Sequence, residues 1–382
     1  MKVLTTRELN RATLARQSLL ERAVEAPLAA VHRLGGLQAQ EAASPYLALW
    51  TRLDHFDPAD VDRAIRDRRL VKATLMRGTL HLVTARDHAR WHPALLDTLR
   101  RRWHGAVLAQ GSPEELLERA LAYAEVPRAN AALREHLARQ SPPATETGRI
   151  TPAEDAWTII RRYAPVIHAP AAVTWSYPRR PSFVAATAWL DGAGPADELA
   201  GLEALVRTYL EAFGPATNAD LAQWSGLPVS RLRLGLERID DIVRSRDEAG
   251  RTLLDLPTGA LPDPDTPAPP RLLPMWDSVL LAHDVRTRVL PDAYRKAVIA
   301  RNGDVLPTFL VDGFVAGLWW AEADAPGTAR IRLEPFRPLK RPIRVALEEE
   351  AERLAAFVAP HEPRVYGRYR WRSLQTVRNA VT

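Results

Sequence analysis

The sequence predicts an α+β protein of three tandem winged-helix domains followed by a C-terminal β-barrel-like domain. Three observations predict it. Groups of helices with clear stop signals recur, each followed by two short strands around a glycine turn. A proline-rich stretch at 257–270 separates these groups from a region patterned mainly as strands. The length, 382 residues, suits several domains at roughly 150 residues each.

In chain order, Thr5-Thr6-Arg7-Glu8 reads as a capping box that opens a helix to about residue 24. Pro27 opens a second helix, which Gly35-Gly36 ends. A third is expected over 58–68, then strands at 70–75 and 79–84 around Arg77-Gly78, giving a first domain over 1–86. Helices at 113–123, 129–139 and 152–162 and strands at 166–168 and 173–177 make a second domain over 87–195, its wing tip at Arg179-Arg180. The third, over 196–258, is the clearest. An amphipathic helix at 202–213 is followed by a Thr217-to-Asp220 cap, a Gly226 turn, a helix from Pro228, and strands at 242–246 and 252–256. Residues 271–382 form the last domain. It has strands at 272–283, 298–300, 306–311, 314–320 and 329–333, hairpin turns at Asn302-Gly303 and Asp312-Gly313, and a helix at 342–358.

Composition narrows the chemistry. There are no cysteines, which removes disulfide scaffolds, thiolate metal sites and cysteine nucleophiles. No apolar run approaches the ~20 residues of a membrane span, and the charged N-terminus does not read as a signal peptide, so a cytoplasmic protein is expected. The net charge is +6. Residues 1–100 carry 16 Lys/Arg against 11 Asp/Glu, 101–270 carry 18 against 22, and 271–382 carry 18 against 13. Two basic ends suit a polyanion; an arginine-rich composition with solvated faces accounts for them equally well.

Five stretches carry candidate chemistry. In Gly35-Gly36-Leu37-Gln38-Ala39-Gln40 an extended chain points both amides one way, and paired amides offer donors and acceptors to one water or ligand. Two polar residues after a helix end is the plainer description on residues alone. Alternation in the 70–84 hairpin turns Arg77, Thr79 and His81 outward, which suits a phosphate or the minor groove, and equally describes a plain exposed hairpin. The helix beginning at Val229 sits where a DNA reader enters the major groove, or where a winged helix packs on a neighbour. In His283-Asp284-Val285-Arg286-Thr287-Arg288 alternation puts Asp284, Arg286 and Arg288 on one face, which suits phosphate contact and equally a salt-bridged barrel rim. A strand at 365–372 interleaves Arg368, Arg370 and Arg372 with Tyr369 and Trp371. His88 and His92 have helical i, i+4 spacing but lack the glutamate of a zinc-protease motif, and no phosphate loop, dinucleotide fingerprint or nucleophile elbow is present.

Together with Trp50-Thr51-Arg52-Leu53, Met76-Arg77-Gly78-Thr79-Leu80-His81-Leu82 and the 302–317 stretch, these segments fall in one order along the chain. In that order the chain resembles the AlkZ-type DNA glycosylases. The resemblance implies tandem winged helices around a channel and a C-terminal barrel. It also implies a Gln-Φ-Gln catalytic motif, carried by Gln38, Ala39 and Gln40. A sister branch has Asp at the second polar position; Gln40 places this chain with the branch linked to genotoxin resistance. That branch excises bulky N7-alkylguanine adducts, and some members unhook interstrand crosslinks. The expected partner is double-stranded DNA carrying alkylated purines, with Arg77, Thr79, His81, Arg179, Arg180, Arg286, Arg288 and Asn302 as contacts. A monomer is expected, with no metal and no cofactor. The competing reading is a winged-helix transcriptional regulator with a ligand-sensing C-terminal domain; a drug-sequestering protein is a third.

Overall fold

A computed structural model of the chain describes residues 1–101, 112–139, 156–190 and 197–369. They form a mixed α+β fold that divides into two compact units. One takes residues 1–57, 209–224 and the chain from Asp241 onward; the other takes 58–208 and 225–240. Among the described residues no helix is long and apolar enough to cross a membrane.

The first unit opens with β1 (Val3–Leu4), α1 (Thr6–Arg16), α2 (Pro27–Arg33), β2 (Leu37–Gln38) and α3 (Ala43–Arg52). The expected capping box is present: the Thr5 hydroxyl accepts from the Glu8 amide, and the Glu8 carboxylate accepts from the Thr5 amide at 2.8 Å. Helix α1 is shorter than expected. It stops at Arg16, because Gln17 caps it and Ser18 takes a left-handed φ of 52°.

The second unit begins with α4 (Pro58–Arg66), β3 (Leu70–Thr74), β4 (Leu80–Thr84), α5 (Ala85–Arg101), α6 (Pro113–Tyr123), β5 (Arg128–Ala129) and α7 (Asn130–Arg139). It continues through α8 (Ala156–Ile160), β6 (Val166–Ala169), β7 (Ser182–Ala185), α9 (Ala186–Trp189) and most of α10 (Glu198–Phe213). Its five strands lie side by side in the order β4-β3-β6-β7-β5, with Trp91, Trp157, Tyr163 and Phe183 in the core. The strand expected at 173–177 is instead a turn. Trp175 and Ser176 both take left-handed backbone (φ 62° and 59°), and the Ser176 hydroxyl donates to Asp62 at 2.5 Å. Trp175 and Tyr177 are buried and anchor the turn, Val173 is exposed, and β7 supplies the pairing. The start of the helix expected at 152–162 lies outside the described residues.

After α11 (Asn218–Ser225) the chain makes α12 (Val229–Leu236) in the second unit. There Gly235 brings α12 against the α10 backbone, since a Cβ would sit 2.7 Å from the Leu202 carbonyl oxygen. Back in the first unit, β8 (Val243–Asp247) and β9 (Thr252–Asp255) pair antiparallel, and β1 joins β8 in parallel. Residues 257–270 are strapped along α1 by its arginines. Arg7 donates to the Pro264 carbonyl at 2.8 Å and Arg11 to that of Thr266 at 2.7 Å. Arg16 grips the Asp255 carboxylate at 2.7 and 2.8 Å and reaches the Ala260 carbonyl.

The C-terminal part contains β10 (Arg271–Leu273), α13 (Arg295–Val298), β11 (Thr308–Val311), β12 (Phe314–Glu322), β13 (Arg330–Pro335) and α14 (Arg341–Val358). Its four strands are antiparallel in the order β10-β11-β12-β13, an open ladder in which α14 touches both end strands. Asp312-Gly313 makes the expected two-residue hairpin, with φ of 48° and 82° and Val311 opposite Phe314. Two strand expectations fail locally. Beyond Leu273 the chain leaves the sheet, and Asp277 caps a 3-10 turn at Ser278–Leu280 by accepting from the Val279 amide. Residues 298–300 end a helical turn and contribute one bridge, Ile299 to Val305.

The residue that holds Asp277 in place is Arg52, at the end of α3. The two side chains form a bidentate ion pair at 2.7 and 2.8 Å with relative exposures of 1% and 0%. Removing one partner strands the other charge in the core, a loss of about 3–5 kcal/mol. We expect Arg52→Ala and Asp277→Ala each to lower unfolding free energy by that order in urea titrations. The double variant Arg52→Met with Asp277→Leu should lose far less than the two single losses together.

The second unit buries His88 and His92 as a stacked pair, ring centroids 5.4 Å apart. His92 Nε2 lies 3.1 Å from the Tyr163 carbonyl oxygen, whereas neither His88 nitrogen has a partner among the described residues. Burial, aided by His92, lowers the His88 pKa to about 3, against an ordinary 6.5. Between those values the unfolded chain binds a proton that the folded one does not, so stability is full above pH 6.5 and falls as pH drops toward 3. His88→Leu should flatten the stability profile between pH 6 and 4 by up to about 1.4 kcal/mol per pH unit, measured by denaturant unfolding at each pH.

Candidate active site

The Gln-Ala-Gln segment lies in the first unit, between α2 and α3. Helix α2 ends at Leu34, and Gly35 and Gly36 follow with φ of 75° and 78°. Two successive left-handed residues turn the chain sharply into β2, a path that side chains with a Cβ resist. A Cβ on Gly35 would also come within 3.2 Å of the Phe213 ring. The extended stretch is shorter than expected and stops at Gln38; Gln40 lies in the bend that leads to α3. Strand alternation therefore does not set a common face for the two amides. Gln38 is 6% exposed, between buried Leu37 and Ala39, whereas Gln40 is exposed.

Helix α3 follows at once, and every one of its residues is buried. At its start the Ser44 hydroxyl is hydrogen-bonded to the Tyr366 hydroxyl at 2.8 Å. At its end Arg52 holds Asp277. Glu41, one residue past Gln40, receives hydrogen bonds from the Arg368 guanidinium and, at 3.3 Å, from the Tyr369 hydroxyl. Residues 367–369 form a 3-10 turn where a strand was expected; Arg370, Trp371 and Arg372 lie outside the described residues. Arg368 and Tyr369 so join the catalytic candidate segment, which their sequence spacing did not indicate.

Arg286, Arg288 and Asn302 also belong to the first unit. Residues 286–288 form a 3-10 turn rather than a strand, and this separates the two arginines. Arg288 is buried, its guanidinium donating to the Pro215 carbonyl at 3.0 Å, and burial lowers its pKa. Arg286 is half-buried; burial, with Arg295 nearby, lowers its pKa against the opposing pull of Asp284. His283 is buried against Phe213, Tyr209 and the Phe213 carbonyl, and burial lowers its pKa to about 3. Asn302 is exposed at its turn, where its amide donates to Asp304 at 3.0 Å.

The second unit holds the other candidates. Arg77, with a left-handed φ of 58°, and Thr79 are half-buried at the tip between β3 and β4. His81 was expected to face outward. It is buried opposite Ala73, with Nδ1 3.0 Å from the Thr79 carbonyl oxygen, and burial beside Arg77 lowers its pKa to about 3. Leu80 is half-exposed, and His81 through Thr84 are all buried, so β4 has no outward face along that stretch for alternation to assign. Arg179 and Arg180 are exposed between Tyr177 and β7. Among the described residues no group of three or more His, Asp or Glu is placed to hold a metal ion.

Replacing Gly35 by alanine forces a left-handed Cβ against Phe213. A loss of about 1–2 kcal/mol is expected from the backbone alone, read as a lower denaturation midpoint; Gly250→Ala, with φ 78° but open space around it, should lose no more than that backbone cost.

Comparison with known proteins relates the chain to one family. The chain resembles the solved structure of Streptomyces sahachiroi DNA glycosylase AlkZ, with a TM-score of 0.73 and 22% identity over 93% of this chain and 97% of that one. No curated protein sequence matches it. The family model described as DNA glycosylase AlkZ-like matches residues 31–357, a span that includes Gln38, Gln40, Arg52 and Asp277. The chain belongs to the AlkZ-like family and is a DNA glycosylase.

Proposed function

We propose that the protein is a monofunctional glycosylase that hydrolyses the N-glycosidic bond of bulky, cationic N7-alkylguanine adducts in double-stranded DNA, with Gln38 and Gln40 as its catalytic residues. The carrying observation is the Gln-Ala-Gln segment, sited at the entrance of the fully buried helix α3 and inside the family match. Unhooking of interstrand crosslinks from a genotoxic natural product, as self-resistance, belongs to the same reading.

Glutamine does not titrate and is a poor base. An N7-alkylated guanine is already positively charged, so it departs without a proton from the enzyme. The bond breaks with oxocarbenium character at the sugar. Amide oxygens held in place stabilise that cation and orient the attacking water, a contribution of positioning and electrostatics. The sugar–base bond breaks with its electron pair going to the base, water adds its oxygen to the sugar carbon and releases its second proton to solvent, and the neutral alkylpurine and an abasic site result. Two features of the chain agree with this: it has no cysteine, and burial lowers the pKa of His81 and of His283 to about 3.

In this reading the protein works as a monomer without a metal or organic cofactor, on a scaffold of three winged helices (1–86, 87–195, 196–258) and a C-terminal barrel-like domain (271–382). DNA phosphates are met by the half-buried or exposed Arg77, Thr79, Arg179, Arg180, Arg286 and Asn302. The buried His81 and Arg288 shape those surfaces from within.

A duplex carrying N7-methylguanine or a bulky N7 adduct, incubated with the protein and cleaved with alkali, should break at the lesion, and a uracil duplex should not. Gln38→Ala with Gln40→Ala should reduce excision at least 100-fold, the order expected for loss of preorganised groups. The wild-type single-turnover rate should be flat from pH 6 to 8. Excision by the double variant at the wild-type rate would remove the two glutamines from the site. Arg77→Ala with Arg286→Ala should weaken DNA binding and flatten its salt dependence.

A further inference from the structure

We propose that Glu41, Ser44, Tyr366, Arg368 and Tyr369 are positioning residues that clamp the Gln38–Gln40 segment for reaction; the inference rests on the function proposed above. The segment emerges from two glycines, spends only Leu37–Gln38 in a strand, and bends at Gln40. Leu37, Gln38 and Ala39 are buried, whereas Gln40 is exposed in the bend. Yet a group that orients water in a transition state must be held to a fraction of an ångström.

Support for the bend comes from the other end of the unit. Tyr366 is buried, and its hydroxyl meets Ser44 at 2.8 Å, in the first turn of α3. Two and three residues on, Arg368 and Tyr369 both reach the Glu41 carboxylate, and the Arg368 guanidinium lies over the Tyr369 ring at 4.6 Å. Two contact points, Glu41 and Ser44, so bracket the bend just after Gln40. A single exposed ion pair contributes little. Here the carboxylate is shared between a cation and a phenol: the exposed Arg368 lies against the ring of Tyr369, which is half-buried.

The aromatic supports show backbone set to suit their side chains. Tyr366 and Trp276 are both left-handed, with φ of 62° and 56°. Such a conformation in a bulky residue is unfavourable by itself and persists when surrounding contacts dictate it. Trp276 meets the Tyr369 ring edge-on at 5.9 Å, and Trp319 packs on Tyr366 at 5.8 Å. Trp276 directly precedes Asp277, the partner of Arg52. The same short stretch thus anchors the end of α3 and supports the clamp at its beginning. Burial also raises the Tyr366 pKa, so its hydroxyl keeps its proton at neutral pH.

The test uses the full chain with Glu41→Ala, Glu41→Gln, Tyr369→Phe and the Gln38→Ala, Gln40→Ala pair. Single-turnover excision from an N7-methylguanine duplex, DNA affinity and thermal midpoint are measured for each, and amide hydrogen exchange is followed for the peptide covering 38–42. Glu41→Ala should speed exchange in that peptide at least fivefold and leave the rest of the chain unchanged, as local loosening does. It should slow excision at least tenfold with DNA affinity and midpoint unaltered, a loss of orientation alone. Glu41→Gln, which keeps an acceptor for Tyr369, should restore most of the rate, and Tyr369→Phe should fall between. Unchanged exchange in Glu41→Ala overturns the clamp, as does a rate loss matched by lost affinity or a lowered midpoint. Normal excision by Glu41→Ala beside a dead glutamine pair overturns the clamp alone. An active glutamine pair, or a wild-type chain that leaves the adduct in place, overturns the function instead, and the exchange arm then decides the clamp.

Discussion

The ion pair between Arg52 and Asp277 is the constraint around which the first unit is organised. Both charges are out of water, so each is tolerable only while the other is present. That condition fixes a distance between the end of α3 and a turn more than 200 residues later. It explains why the strand pattern beyond Leu273 is abandoned: a carboxylate that must face Arg52 and cap a 3-10 turn cannot also alternate in a sheet. It fixes α3, and with it the place where the Gln38–Gln40 segment enters.

The first unit uses arginine in this way repeatedly. Arg7, Arg11 and Arg16 fasten residues 257–270 to α1, and Arg11 and Arg16 do so from buried positions. Gly259 and Gly313 keep the space these contacts need, since a Cβ at either would fall within 3 Å of a side chain of α1. An arginine has a planar fork of donors and a long apolar stem, which suits it to satisfying several backbone carbonyls inside a core. Much of the basic composition is therefore committed to holding the chain together, and the net charge overstates what is offered to a polyanion. Arg288 and Arg286 illustrate the division: one is inside the fold, the other half outside.

The chemistry proposed for the site agrees with its surroundings. A leaving group that carries its own positive charge needs neither a titrating acid nor a strong base, and the buried histidines of both units are held neutral by burial. What the reaction does need is fixed geometry, and the segment bearing the two glutamines gains it from residues distant in sequence. Among these are the left-handed Tyr366 and the turn at 367–369.

The sequence by itself determined what is written in local terms. The Thr5 capping box, the helix starts at Pro27, Pro58 and Pro113, the Asp312-Gly313 hairpin and the glycine exit before Gln38 were legible because each is set by a few adjacent residues. The ordered motifs were legible as well, and they carried the family. Tertiary structure decided the rest. Burial of His81, the turns at 173–177 and 286–288, and the role of Glu41 depend on partners far along the chain, which no window of sequence contains. Strand alternation predicts which face a residue takes only while the strand continues. Where a polar side chain from elsewhere meets a stronger demand, as Arg52 does at Asp277, that demand sets the backbone and the alternation ends.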